Sequence, residues 1–151
     1  MTLITCSAII SFYTAFEDQI AKFYDDMANN KQYAAGKDTF LLFSKENKRN
    51  KENVQRTYYE VITDGLEACY IKTLNEEDYA IKTKLAADTT YSNALKTAIG
   101  MEEQSHRFCI DAYESTKDFM ADVSVALRAI AKRKAERKQI LETLIDKAKS
   151  R

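Results

Sequence analysis

The chain has no proline, no tryptophan and only three glycines, Gly36, Gly65 and Gly100, among its 151 residues. Proline and glycine break helices and shape tight turns, so their scarcity argues against a turn-rich β fold and leaves room for long uninterrupted helices. No Gly-rich phosphate loop, no nucleophile elbow and no Ser/His/Asp arrangement is visible. The three cysteines, Cys6, Cys69 and Cys109, lie far apart with no Cys-x-x-Cys pair. This excludes a disulfide framework and a rubredoxin-like iron site, and it fits a reducing cytoplasm. A single histidine, His106, cannot supply a pair of histidine ligands. Net charge is lacking too: Lys plus Arg and Asp plus Glu both number 23, which gives no global attraction to nucleic acid or to an anionic membrane. No apolar run approaches the ~18 residues of a membrane span, and the mildly apolar stretch Thr2 to Tyr13 has no basic leader. It reads as the start of a core helix.

What is present is helical periodicity. With 45% hydrophobic and 30% charged residues, the chain has the composition of one folded domain spanning residues 1–151. Four segments carry apolar residues at helical spacing. The first, about Thr5 to Asn29, aligns Ile9, Tyr13, Phe16, Ile20, Phe23 and Met27. A loop from Asn30 to Gly36 follows, with Asp38 as the expected N-cap of a second helix bearing Phe40, Phe43, Val54, Tyr58 and Val61. The pair Asp64-Gly65 is expected to end or bend that helix. Residues 66–87 form a long crossover, in which Asn75-Glu76-Glu77-Asp78 resembles the start of a short helix. A third helix begins after Asp88 and carries Leu95, Ala98, Met101, Phe108 and Ala112. A fourth begins near Thr116 and reaches towards Lys147, with Val123, Leu127, Ile130, Leu141 and Leu144. A connection as long as 66–87 suits two neighbouring parallel helices, which a short turn cannot join.

Two internal echoes support this layout. Phe16-Glu17-Asp18-Gln19-Ile20-Ala21-Lys22-Phe23 matches Met101-Glu102-Glu103-Gln104-Ser105-His106-Arg107-Phe108, with Glu, Gln and Phe identical. A weaker echo relates Phe40-Leu41-Leu42-Phe43-Ser44-Lys45 to Leu127-Arg128-Ala129-Ile130-Ala131-Lys132. Each helix also interrupts its apolar stripe with polar residues near its middle: Glu17 in the first, Asn47 and Asn50 in the second, Glu102 in the third, Lys134 and Arg137 in the fourth. Antiparallel packing brings all six to similar depth.

This pattern resembles the rubrerythrin branch of the ferritin-like superfamily, through the doubled Glu-x5-Phe segment of Glu17 with Phe23 and Glu102 with Phe108. The resemblance implies an all-α, ferritin-like four-helix bundle with a long crossover between helices 2 and 3. In that family two helices each give one Glu and two each give a Glu-x-x-His pair, which together hold two irons. Carried over, the single-Glu positions are Glu17 and Glu102. The Glu-x-x-His positions fall on Asn47 and Asn50, and on Lys134 and Arg137, and all four depart from the pattern. Lys and Arg only donate hydrogen bonds and carry positive charge, so they repel a cation where a ligand is needed. The formal charges of Glu17 and Glu102 balance those of Lys134 and Arg137. The expectation is therefore a metal-free buried polar cluster in which the two bases pair with the two acids and Asn47 and Asn50 complete the hydrogen bonds. The alternative is that Lys134 and Arg137 snorkel outward.

The functional expectation is a cytoplasmic, non-catalytic protein with a binding or structural role and no cofactor. Its partners would be an unidentified protein or small molecule, or a second copy in a homodimer, and not a membrane. The rival reading is an iron- or other transition-metal-binding oxidoreductase with an altered site of Glu17, Glu102, Glu103 and His106. It draws on the literal Glu-x-x-His of Glu103 to His106, although the repeat sets Glu102 on the core face and His106 opposite Ala21. A third reading takes the basic stretch Arg128 to Lys138 as a nucleic-acid strip, but no aromatic residues interleave it. The nine tyrosines, at helical spacing, read as core and seam residues.

Overall fold

The computed structural model describes residues 2–62 and 70–150, and it is mostly helical. Four long helices share one core: α1 (Cys6–Asn29), α2 (Lys37–Val61), α3 (Tyr91–Thr116) and α4 (Ala121–Lys149). Ion pairs set their directions. Asp25 meets Lys48 while Asp18 meets Lys51, so α1 and α2 run antiparallel. Likewise Lys138 meets Glu103 while His106 meets Ala131, so α3 and α4 are antiparallel. Helix α3 also opposes α1, because Tyr24 reaches Glu102 and Phe12 reaches Phe108. Helices α2 and α3 are therefore parallel, with Phe40 and Tyr91 in edge contact near their two N-termini. That is why a crossover spanning the length of the molecule must join them.

The N-terminus departs from the sequence expectation. Thr2–Thr5 is a short strand, β1, paired antiparallel with β2 (Tyr70–Asn75) through Leu3 and Leu74. Leu3 is buried while Thr2 and Ile4 are exposed, an alternation that matches a strand and not a helix. Helix α1 begins only at Cys6, where the Thr5 hydroxyl accepts a hydrogen bond from the Ala8 amide at 3.1 Å.

Other boundaries shift for equally local reasons. The 30–36 connection is largely a 3-10 segment, Lys31–Gly36, opened by the Asn30 side chain accepting from the Gln32 amide. Helix α2 is preceded by Gly36, not capped by Asp38, which sits in its first turn where a carboxylate complements the helix dipole. A Cβ at Gly36 would lie 2.6 Å from both the Phe40 ring and the Tyr91 hydroxyl, so glycine is what lets the chain pass there. Asp64-Gly65 and Cys69 lie outside the described residues. Glu76–Tyr79 is the short helix expected after Asn75, in the form of a single 3-10 turn. Thr116 closes α3 instead of opening α4, its hydroxyl donating back to the Ala112 carbonyl at 2.8 Å.

Among the fully buried side chains are Phe40, Phe43, Phe108, Tyr13, Tyr24, Ile9, Ile20 and Leu95. Burying each large apolar side chain contributes about 1.5–3 kcal/mol. The crossover is strapped to this core by the two glutamines that the repeat makes equivalent. Gln104 donates to the carbonyls of Asp78 and Ala80, and Gln19 reaches Thr83 at 3.4 Å. Tyr79 donates to Asp111 beneath the same strap. No described helix is long and apolar enough to cross a membrane.

Candidate functional site

Glu17, Asn47, Glu102, Lys134 and Arg137 all point into the core, each 1% exposed or less. The Lys134 ammonium lies 3.0 Å from Glu17 Oε1 and 3.9 Å from Glu102 Oε2. Arg137 donates from Nη1 to Glu102 Oε1 at 3.1 Å and from Nη2 to the Phe43 carbonyl at 3.0 Å. Its guanidinium sits over the Phe43 ring, 4.6 Å from the centroid, and within 5.8 Å of that of Tyr24. Tyr24 completes the arrangement by donating to Glu102 Oε1 at 2.6 Å. Two acids and two bases from three helices thus meet in a space walled by aromatic rings, and neither base snorkels outward.

The local sequence explains the placement. Lys134 and Arg137 are three residues apart on the face of α4 that also carries Leu127, Ile130 and Leu141, and every one of these side chains is buried. Glu17 sits between Tyr13 and Ile20 on α1, and Glu102 between Ala98 and Ser105 on α3, again on wholly buried faces. Such groups keep their charge inside only with partners, because an isolated buried ion costs several kcal/mol.

The two carboxylates are held differently. Glu102 Oε1 accepts from both Tyr24 and Arg137, while its Oε2 accepts no hydrogen bond. Glu17 contacts Lys134 at ion-pair distance, and beyond that contact neither Glu17 oxygen nor the Lys134 nitrogen has a hydrogen-bond partner. The distance shows charge pairing. Burial pushes the Glu17 carboxyl above its ordinary pKa, with Lys134 opposing. Burial, reinforced by Glu102, raises the Tyr24 phenol well above its own.

The asparagines do not complete the network. Asn47 is buried, but neither its amide nitrogen nor its oxygen has a hydrogen-bond partner. Asn50 is only half-buried and bonds to none of the cluster. Its counterpart in the repeat, Arg137, spans the same gap with a much longer side chain, which a carboxamide on one methylene cannot do. Glu46 takes the role instead, receiving two hydrogen bonds from Arg133 at 2.8 and 2.9 Å and lying 3.9 Å from Arg137. Sequence reasoning missed Glu46, Tyr24 and the Phe43 carbonyl. The weaker echo, extended three residues past Lys45 and Lys132, sets Glu46 opposite Arg133 and Asn47 opposite Lys134, and that signal was available.

Burial alone would raise the Glu46 carboxyl, but the hydrogen bonds and charge of Arg133, together with the charges of Arg137 and Lys134, hold it below the usual range. A carboxyl depressed on folding contributes stability that is fully present above its unfolded pKa and is lost as pH falls through its folded one. Glu46→Gln is therefore expected to flatten the acid limb of a urea-stability profile below about pH 4.3, the ordinary Glu value. An unchanged acid limb would show that the Arg133 pair does not matter to folding.

The four residues of the altered metal set are not gathered into one. Glu103 is exposed and paired with Lys138 at 3.1 Å, and the ring Nδ1 of His106 donates to the Ala131 carbonyl at 2.7 Å. Among the described residues no group of three or more His, Cys, Asp or Glu side chains is arranged to hold a metal ion. Glu102, Glu103, His106, Lys134, Lys138 and Glu142 do line one groove of about 400 Å³ between α3 and α4, which leads from the surface to the buried cluster. A larger cleft of about 550 Å³ lies between α1 and the crossover, away from these charges. No protein-family model matches this chain, and no curated protein or solved structure matches it either.

Proposed function

We propose that the chain is a ferritin-like four-helix bundle of the rubrerythrin type in which an internal ion-pair cluster replaces the dinuclear metal centre, and that it acts by binding or as a structural partner, not as a catalyst. The observation that carries this reading is the pairing of Lys134 with Glu17 at 3.0 Å and of Arg137 with Glu102 at 3.1 Å. Those bases stand where the resemblance calls for Glu and His, and they contact the two acids that the resemblance retains. Two positive charges already neutralise the site, so an entering divalent cation would meet repulsion from Lys134 and Arg137. The repeat adds support. Asp18–Lys51 in one hairpin and Glu103–Lys138 in the other are equivalent ion pairs, as a duplicated helix pair would leave them.

The nucleic-acid reading draws little from the same helix. In the stretch from Arg128 to Lys138, Lys134 and Arg137 are buried, Arg133 and Lys138 are ion-paired, and Arg128 lies over the Tyr113 ring. Few of these cations remain to track a phosphate backbone.

Elemental analysis of protein purified from cells supplied with iron and manganese tests the main reading. The expected result is metal far below one equivalent per chain. Stoichiometric metal together with an oxygen-dependent absorbance would replace it with the oxidoreductase.

A further inference from the structure

We propose that Glu17 and Lys134 condense into an intramolecular amide, a covalent cross-link between α1 and α4 formed with Glu102 as the proton-handling group. Both side chains are wholly buried, and the amine stands 3.0 Å from the carboxyl oxygen. Beyond this contact, neither Lys134 Nζ nor either Glu17 oxygen has a hydrogen-bond partner. A second carboxylate oxygen, Glu102 Oε2, lies 3.9 Å from the same nitrogen and is itself unused, because Tyr24 and Arg137 hold only Oε1. A nucleophile, an electrophile and a base are thus confined together by three helices, the setting in which proximity replaces most of the entropic barrier.

The step balances without any other reactant. Transfer of one proton from the ammonium to Glu17 converts the ion pair into a neutral amine and a carboxylic acid. Nζ then attacks Cδ of Glu17 and loses a proton to Glu102 Oε2. Glu102 returns that proton to the departing hydroxyl, which leaves as water. One N–C bond forms, one C–O bond breaks, nothing is oxidised or reduced, and Glu102 ends as it began. The groove between α3 and α4, lined by both Glu102 and Lys134, lies beside the pair and offers room for the released water. Arg137 and Glu102 remain as an ion pair, so the cluster stays neutral.

The decisive measurement is the intact mass of the purified full-length chain, followed by tandem mass spectrometry of a digest. The expected mass is one water below that of the sequence, with the peptide bearing Glu17 joined to the peptide bearing Lys134. Lys134→Arg and Glu102→Gln should both be recovered at full sequence mass. Native protein at full mass, or a water loss mapped to any other residue, overturns the cross-link. A Glu102→Gln chain linked as completely as the native one removes Glu102 from the chemistry. Should either variant fail to fold, the native mass still decides. Absence of the amide would leave the ion-pair reading of the core standing, whereas metal uptake would remove that reading by a separate route.

Discussion

Lys134→Met is expected to destabilise the protein by about 3–5 kcal/mol, the cost of leaving a buried charge without its partner. For a chain of this size that corresponds to a fall in Tm of roughly 10–20 °C, read from thermal unfolding. Methionine approximates the volume and flexibility of the lysine stem, so packing is largely preserved and the loss reports on charge. Adding Glu17→Gln to that variant should recover part of the deficit, because the orphaned carboxyl is then neutral. The recovery is incomplete, since a buried carboxamide still lacks partners. The direction holds whether Glu17 meets Lys134 as an ion or as an amide. A Tm unmoved by Lys134→Met, or no coupling between the two substitutions, would mean that α4 and α1 are not joined through this pair.

The contrast between Lys134 and Asn47 shows which parts of the site could be read from the chain. Helical spacing placed Glu17, Glu102, Lys134 and Arg137 on buried faces because period alone decides which side of a helix a residue occupies. Spacing does not decide reach. Asn50 has the right register yet stays at the edge of the core, and Asn47 faces inward yet finds no partner. Glu46 lies one residue off the stripe, and only the long arms of Arg133 and Arg137 draw it towards the cluster. The Phe43 carbonyl carries no side-chain signature at all, being backbone that spends its second lone pair on Arg137.

The fold divides in the same way. The four helices follow from apolar periodicity over more than twenty residues each, which is strong evidence for an element even where its ends are uncertain. Strand β1 is too short for such a signal. Its four residues pair with a segment some seventy positions away, and that pairing, not local pattern, makes Thr2–Thr5 a strand. Glutamines 19 and 104 occupy matching positions of the repeat. They became intelligible only once the crossover was seen lying across both.

If the two bases substitute for metal, removing them and supplying ligands should restore a demand for metal. In the variant N47E/N50H/K134E/R137H the six positions carry four carboxylates and two imidazoles, including the native Glu17 and Glu102. Four negative charges in a dry core match two divalent cations, and without them the charges repel at short range. The expected outcome is a chain that unfolds readily in chelator and binds about two equivalents of Fe(II) or Mn(II). Saturating metal at about 100 times the dissociation constant should raise its stability by about 2.7 kcal/mol per independent site. The native chain should show no change in Tm between chelator and metal. Histidine at position 50 has a longer reach than the asparagine it replaces, which addresses the one position that falls short of the cluster. A variant that folds equally well with and without metal would show that the six positions do not converge on a common centre. A native chain whose melting rises with metal would show that Lys134 and Arg137 do not block one.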